Sequence, residues 1–456
     1  MARDVTDAAP ISSRDEMVAW IAAGEKPQAS WRLGTEHEKI PFYLADNSPV
    51  PYEGERGIRA LLEGLGAAEG WEPILEAGRP IGLSDPEGGG AVSLEPGGQF
   101  ELSGAPLESV HGTASELDRH LRALGGVAAP LGIGFLTLGM SPKWSLAETP
   151  VMPKGRYAIM AGYMPKVGSL GLDMMFRTAT VQTNLDFSSE ADMVAKLRAS
   201  LALQPVAAAL FANSPFTDGK PNGFLSMRSE IWRDTDAGRT GMMPFAFEDG
   251  MGYEAYVDYA LDVPMYFVKR GDTYHDVTGQ SFRDLLEGRL PGLPGERATI
   301  SDWANHLSTI FPEVRLKRFL EMRGSDVGPA AMIAAQSALW AGLLYDRGAL
   351  DGALALIAGW SAAMRQGLRD EVPRLGLKAR IEGRSLRDVA RDVLALARAG
   401  LARRARPDAS GRDETAYLDP LDAIVAEGAT SAEIWLARYE GEWGRSVDPV
   451  FAEARF

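Results

Sequence analysis

The chain contains no cysteine. Disulfide scaffolds, thiolate nucleophiles, iron–sulfur clusters and cysteine-bound zinc are therefore excluded. Histidine is scarce: His37, His111, His120, His275 and His306 are the only ones. None belongs to an HExxH pair, which removes the common zinc-protease site. Any bound metal must draw mainly on carboxylates, and that favours Mg²⁺ or Mn²⁺. Positive charge is also short. Lys and Arg number 47 against 62 Asp and Glu, for a net charge of −15, whereas a nucleic-acid partner calls for a basic footprint. The longest apolar runs, residues 201–212 and 330–345, fall short of the ~20 residues a membrane span needs. No P-loop is present, and LGIGFLTLG is an incomplete dinucleotide fingerprint. The opening MARDVTDAAPISSRDEM lacks the apolar core of a signal peptide and is too acidic for a transit peptide. A cytoplasmic location is expected, with no nucleic-acid or membrane partner.

What is there is an ordinary globular composition, 45% hydrophobic and 24% charged, long enough to bury roughly three quarters of its unfolded surface. No Ser/Gly or Pro linker divides it and no repeat is found. The expected organisation is a single domain: a helical lead-in over 1–30, a mixed catalytic body over 31–328, and a helical C-terminal layer over 329–456, where Ala, Leu and Arg recur at helical spacing. Ser13 with Glu16, Ser189 with Asp192, and Thr430 with Glu433 have the spacing of capping boxes. Strand-like pieces at 134–140 and 178–187 alternate with helices, which predicts an α+β fold with a mainly antiparallel sheet.

Four polar stretches carry the candidate chemistry. In WRLGTEHEK (31–39) alternate residues share a strand face, so Arg32, Gly34, Glu36 and Glu38 point one way and Leu33, Thr35 and His37 the other. Neighbouring same-face carboxylates repel unless a cation bridges them. In VSLEPGGQFELSG (92–104), Pro96-Gly97-Gly98 forbids a regular central strand. Glu95 and Glu101 therefore sit beside a bulge or sharp bend. In TVQTNLD (180–186), Thr180, Gln182, Asn184 and Asp186 alternate with apolar positions, and amide oxygens suit Mg²⁺ or a nucleotide. PEVRLKRFLEMRG (312–324) reads as one strand with Arg315, Lys317, Phe319, Glu321 and Arg323 on one face. A carboxylate among cations is what a metal–phosphate site needs.

Singly, the first two stretches read equally as solvated strand faces, the third reads as an amphipathic strand, and the fourth has the alternative of a row of weak surface ion pairs. Jointly they describe a sheet lined with acids and Arg/Lys, suited to a nucleoside triphosphate with several Mg²⁺ ions. Two more stretches read as irregular substrate-handling loops. One, from Met152, offers Lys154, Arg156 and Lys166; its methionines read as core filler. The other, 224–241, places Arg228, Arg233 and Arg239 near Trp232, Asp234 and Asp236, groups that suit an amino acid's carboxylate and ammonium.

The strings GTEHEK, SLEPGGQFELSGAPLESVH, MPKGRY, SMRSEIW, FPEVRLKRFLEMRG and EWGRSVDPVF run in order over nearly the whole chain. In them the chain resembles the glutamate–cysteine ligases of the plant and α-proteobacterial type. The resemblance implies a glutamine-synthetase-like fold, an antiparallel sheet funnel surrounded by helices. It implies that ATP phosphorylates the γ-carboxylate of L-glutamate and that the amine of L-cysteine displaces phosphate, giving γ-glutamylcysteine, the first step of glutathione synthesis. A γ-glutamyl ligase with another acceptor amine is the alternative. Carried over by motif, Glu36, Glu38, Glu95, Glu101 and Glu321 would hold about two or three Mg²⁺ ions, with Mn²⁺ as substitute and Gln182 as a further ligand. Lys317, Arg323 and Gln182 would contact ATP. Arg228, with Trp232 and Arg239, would hold glutamate, and Arg228, Arg323 and Lys317 form the expected catalytic set. A monomer or weak homodimer is expected. Plant members carry regulatory disulfides, which a chain without cysteine cannot form.

Overall fold

The computed structural model describes residues 7–456, so the first six residues of the expected lead-in lie outside it. Its spine is an eleven-residue strand, β1 (Leu33–Tyr43). Around it stand β2 (Glu72–Glu76), β3 (Arg79–Ser84), β4 (Ala91–Leu94), β5 (Phe100–Ser103), β6 (Ile133–Leu136), β7 (Thr180–Leu185), β8 (Val314–Leu316) and β9 (Leu320–Asp326). These make one nine-stranded sheet in the order β8-β9-β7-β1-β5-β4-β3-β2, with β6 paired to the far end of β1. Every ladder in it is antiparallel. The α+β expectation with a mainly antiparallel sheet holds.

The pleat sorts the side chains. Leu33, Thr35, His37 and Lys39 of β1 are buried on the helix-covered face, where Thr35 Oγ1 lies 2.7 Å from Ser337 Oγ and the His37 ring lies 5.8 Å from that of His120 on the helix Val110–Leu131. Ser337 belongs to the helix Ala330–Leu344, which is buried on all sides because further helices, Leu386–Arg404 among them, cover it. The alternate residues Glu36 and Glu38 emerge on the opposite face, into a cleft. Beyond residue 329 the chain is mostly helical, apart from a short hairpin pairing Arg380–Ile381 with Arg384–Ser385.

Three local expectations change. Residues 312–324 are a hairpin, not one strand: β8 returns as β9, with Arg315 opposite Glu321 and Leu316 opposite Leu320. Residues 92–104, expected to carry a bulge or sharp bend, are likewise a hairpin, with β5 between β1 and β4. The supposed loop from Met152 is helical over Gly155–Tyr163 and Gly171–Arg177. Of the capping boxes, Thr430 with Glu433 is complete. Ser189 accepts from Asp192 N while the Asp192 carboxylate turns to Ser188. Ser13 makes no cap bond, because Glu16 bonds Ser12 instead.

Among the described residues one helix, Glu190–Leu210, is long and apolar enough to cross a membrane, and 83% of its apolar window is buried inside this fold. It packs against β9 and the helices Arg347–Ile357 and Ala362–Leu375.

Candidate functional site

The cleft on the open sheet face encloses about 1120 Å³ of non-protein space, open solvent at its mouth included. Its floor is set by strand register. Glu38 of β1 is the Cα partner of Glu101 on β5, and Glu36 is the partner of Gln182 on β7. Glu95 stands just past β4, at the start of the turn that joins it to β5. That turn is tight: Glu95 N donates to Gln99 O at 2.9 Å and Gly98 N to Glu95 O at 2.9 Å, with Gly98 at φ +89°. A Cβ on Gly97 would lie 2.0 Å from Phe176 O, so only glycine lets the turn touch the helix Gly171–Arg177. Gln99 Nε2 reinforces the seam by donating to Met175 O (3.2 Å) and Thr178 O (2.8 Å).

Glu36, Glu38, Glu95 and Glu101 form an acidic wall. Each has polar support: Thr180 N donates to Glu38 (2.9 Å), Asn184 Nδ2 to Glu36 (2.8 Å), the Ser103 hydroxyl to Glu101, and Tyr157 OH lies 3.5 Å from Glu95. Among the described residues none of the four is in an ion pair, in contrast to Glu321. Burial, then the nearby Glu95 and Glu101, push the Glu38 carboxyl well above its usual range, with Arg228 pulling the other way. A wall of carboxylates that repel one another is the donor set a hard divalent cation relieves. Among the described residues no three acidic or imidazole groups converge into a ready ion cage, so part of the coordination would fall to the ligand's own oxygens.

The opposite wall is cationic and comes from the β8–β9 hairpin. Arg315 Nη2 and Nε donate to the two oxygens of Glu321 at 2.7 and 3.0 Å. Lys317 Nζ lies 3.1 Å away, and Arg323 Nη1 joins the same carboxylate. Glu321 has no exposed surface and does not line the cleft. Burial alone would push its carboxyl up, but Arg315, Lys317 and Arg323 hold it well below the usual range. Glu321, expected as a metal ligand, is placed here as the shared counter-ion of three cleft-lining cations. Gln182, expected to touch metal and ATP, lines the cleft, and its Oε1 accepts from Arg323 Nη1 at 2.6 Å.

Arg228 sits on the five-residue helix Met227–Ile231, with Trp232 directly after it. It is 2% exposed. Its Nη2 donates to Arg323 O at 3.0 Å, while Nε, Nη1 and the Trp232 Nε1 are buried without a partner. Unmet buried donors are costly, and in a cleft they mark the seat of an acceptor such as a carboxylate. Arg239 does not join them. It is fully buried behind the site, donating to Asp236 Oδ2 (2.6 Å), Thr309 O (3.1 Å) and Pro264 O (2.6 Å), with its guanidinium 3.7 Å above Tyr266. Its place in the substrate set is a correction: the group is satisfied by the protein itself. Arg233 pairs with Glu230 and Asp370.

In the stretch from Met152, Arg156 lines the cleft. Lys154 is turned to Leu94 O at 2.7 Å, and Lys166 is exposed. Sequence reasoning missed the apolar side of the cleft: Met160, Met174, Met175, Phe267 and Phe311, with Asn305 and Ser308 from the helix Ile300–Ser308. Only Phe311, abutting the basic hairpin, carried a positional signal.

The glutamate–cysteine ligase family 2 model matches residues 32–453. The chain is 55% identical over 450 residues to the chloroplastic glutamate–cysteine ligase of Nicotiana tabacum, covering 99% of this chain and 84% of that protein. It is 55% identical over 441 residues to the chloroplastic enzyme of Arabidopsis thaliana, covering 97% and 82%. Those relatives are chloroplastic by name, which overturns the cytoplasmic expectation. Among solved structures, a Francisella tularensis glutamate–cysteine ligase in complex with AMP superposes with a TM-score of 0.53 at 13% identity, over 93% of this chain and 91% of that one. A bifunctional glutathione synthetase from Pasteurella multocida gives 0.53 at 11% identity, over 97% and 53%. At such identities the likeness is one of fold.

Proposed function

The chain belongs to the glutamate–cysteine ligase family 2, and from that premise we propose how its cleft joins the γ-carboxylate of L-glutamate to the amine of L-cysteine. ATP is consumed, and γ-glutamylcysteine, ADP and phosphate are released in the first step of glutathione synthesis. The observation that carries the reading is the pair of opposed walls: four unpaired carboxylates face three cations held on one buried acid. Phosphoryl transfer asks for charge neutralisation and in-line placement rather than a covalent nucleophile, which fits a cleft without cysteine.

In this reading Glu36, Glu38, Glu95 and Glu101 hold Mg²⁺. These carboxylates would seat two or three ions by family likeness, with Mn²⁺ as substitute, and so would supply charge neutralisation at phosphate oxygens. Lys317, Arg323 and Arg315 face the phosphates of ATP and the charge that grows as the γ-phosphoryl group moves. Arg323 also fixes the Gln182 amide beside them. Arg228 offers its free Nε and Nη1 to a carboxylate of glutamate, with Trp232 against the ligand's stem. The chain is read as one functional domain acting as a monomer or weak homodimer.

The test is direct. The purified protein is incubated with glutamate, cysteine, ATP and Mg²⁺, and the product identified by mass spectrometry. γ-Glutamylcysteine with cysteine-dependent ADP release is expected. Folded protein that makes none would sink the reading, and product with another amine but not cysteine would transfer it to a different acceptor.

A further inference from the structure

Arg228 reaches the cleft from a helix of only five residues. So short a helix has no stability of its own, so something else must fix its guanidinium. The fixing group is Asp326, the last residue of β9. It is 1% exposed and does not line the cleft. Its Oδ1 accepts from Ser226 Oγ at 2.8 Å, and its Oδ2 accepts from Ser214 Oγ at 2.7 Å and Asn213 N at 2.9 Å. Both serines pass the restraint onward. Ser226 is the helix N-cap and accepts from Ser229 N at 3.1 Å. Ser214 Oγ accepts from the backbone N of Arg228 itself at 3.1 Å. Room for the carboxylate is reserved on its far side, where a Cβ on Gly139 would lie 2.4 Å from Asp326 Cγ.

Asp326 makes no hydrogen bond to the Arg228 guanidinium, yet it is the foremost charge sustaining that cation against burial. A direct ion pair would occupy the donors a ligand needs. A carboxylate held one serine away balances the charge and leaves Nε and Nη1 open. The same strand supplies the Arg323 carbonyl that anchors Nη2, so β9 sets both the position and the charge balance of the guanidinium.

We infer that Asp326 is a positioning residue for Arg228, acting through Ser214 and Ser226 to hold it ready for the substrate carboxylate. The inference rests on the assignment of Arg228 to glutamate. The experiment compares Asp326→Asn, Ser214→Ala and Arg228→Lys with the unaltered enzyme, measuring KM for glutamate, ATP and cysteine, with thermal melts to verify folding. Asp326→Asn is expected to raise the glutamate KM about tenfold or more and Ser214→Ala to raise it in the same direction, while KM for ATP stays within about threefold. A general structural role would move all three constants together. If Arg228→Lys raises the glutamate KM but folded Asp326→Asn does not, the inference is overturned and the site reading stands. If Asp326→Asn fails to fold, Ser214→Ala decides: an unchanged glutamate KM overturns the inference. If Arg228→Lys itself leaves the glutamate KM unchanged, the assignment of Arg228 falls and the inference falls with it.

Discussion

Arg315 and Glu321 face each other as Cα partners on β8 and β9 and share a two-pronged ion pair, Nη2 and Nε on the two carboxylate oxygens at 2.7 and 3.0 Å. The hairpin register makes this pair, and the pair draws Lys317 and Arg323 to the same acid.

Glu321→Gln should therefore behave as a lost counter-ion and not as a lost metal ligand. Two buried cations, Arg315 and Lys317, and the partly exposed Arg323 would be left facing a neutral amide, and breaking a buried pair costs about 3–5 kcal/mol. The expected result is a large drop in melting temperature and a loss of turnover that excess Mg²⁺ does not repair. Because the folded carboxyl is held below its unfolded range, its contribution is present above the unfolded pKa and is lost as pH falls through the folded value. Recovery of turnover at high Mg²⁺ would return Glu321 to the ligand set.

Glu101→Gln removes a donor from the acidic wall. It should lower turnover by about a hundredfold and raise the Mg²⁺ concentration needed for half-maximal activity, with the fold intact by circular dichroism. An unaltered Mg²⁺ requirement would count against the wall as the metal seat.

Glu38 gives a pH signature without activity. Its folded pKa lies well above the unfolded value, so it contributes stability that is full below the unfolded pKa and is lost as pH rises through the folded one. Metal-free protein should lose stability with rising pH above about 4.5, and Glu38→Gln should flatten that trend and raise the metal-free melting temperature. Added Mg²⁺ with nucleotide should stabilise the unaltered protein more than the variant. Equal responses in the two proteins would argue against the assignment.

Lys39 is predicted to act in the opposite sense from the helical side of the sheet. It has no exposed surface, and its Nζ lies 3.0 Å from His37 Nδ1. Burial pulls its pKa down to about 7 from 10.5, against Glu101 and Glu38. The unfolded chain then binds the extra proton across that window, so stability rises with pH from about 7 to 10.5. Lys39→Met should abolish this rise and stabilise the protein at pH 7. Superimposable pH–stability curves would refute it.

Dithiothreitol should change neither activity nor elution volume, because the chain has no thiol. A reproducible response would have to come from something other than the polypeptide.

The faces of the strands were legible because period 2 is local: Glu36 and Glu38 fall on one side whatever surrounds them. Reading 312–324 as one strand was wrong in topology yet right in face, since the turn leaves Arg315 opposite Glu321 and preserves parity. Glu321 looked like its fellow acids because nothing in its neighbours' spacing says that three cations close over it. Arg239 was misplaced for a similar reason. Its partners, Thr309 and Pro264, are remote in sequence, and only the fold brings their carbonyls to it. The methionine side of the cleft stayed hidden because Pro165 and several glycines break its helices into pieces too short for a periodic signal.

The close approach of Gly97 to the Phe176 carbonyl seats the acidic turn directly on the methionine-bearing helix Gly171–Arg177. A single side chain added at Gly97 would therefore disturb the acidic wall and the apolar side of the cleft at once.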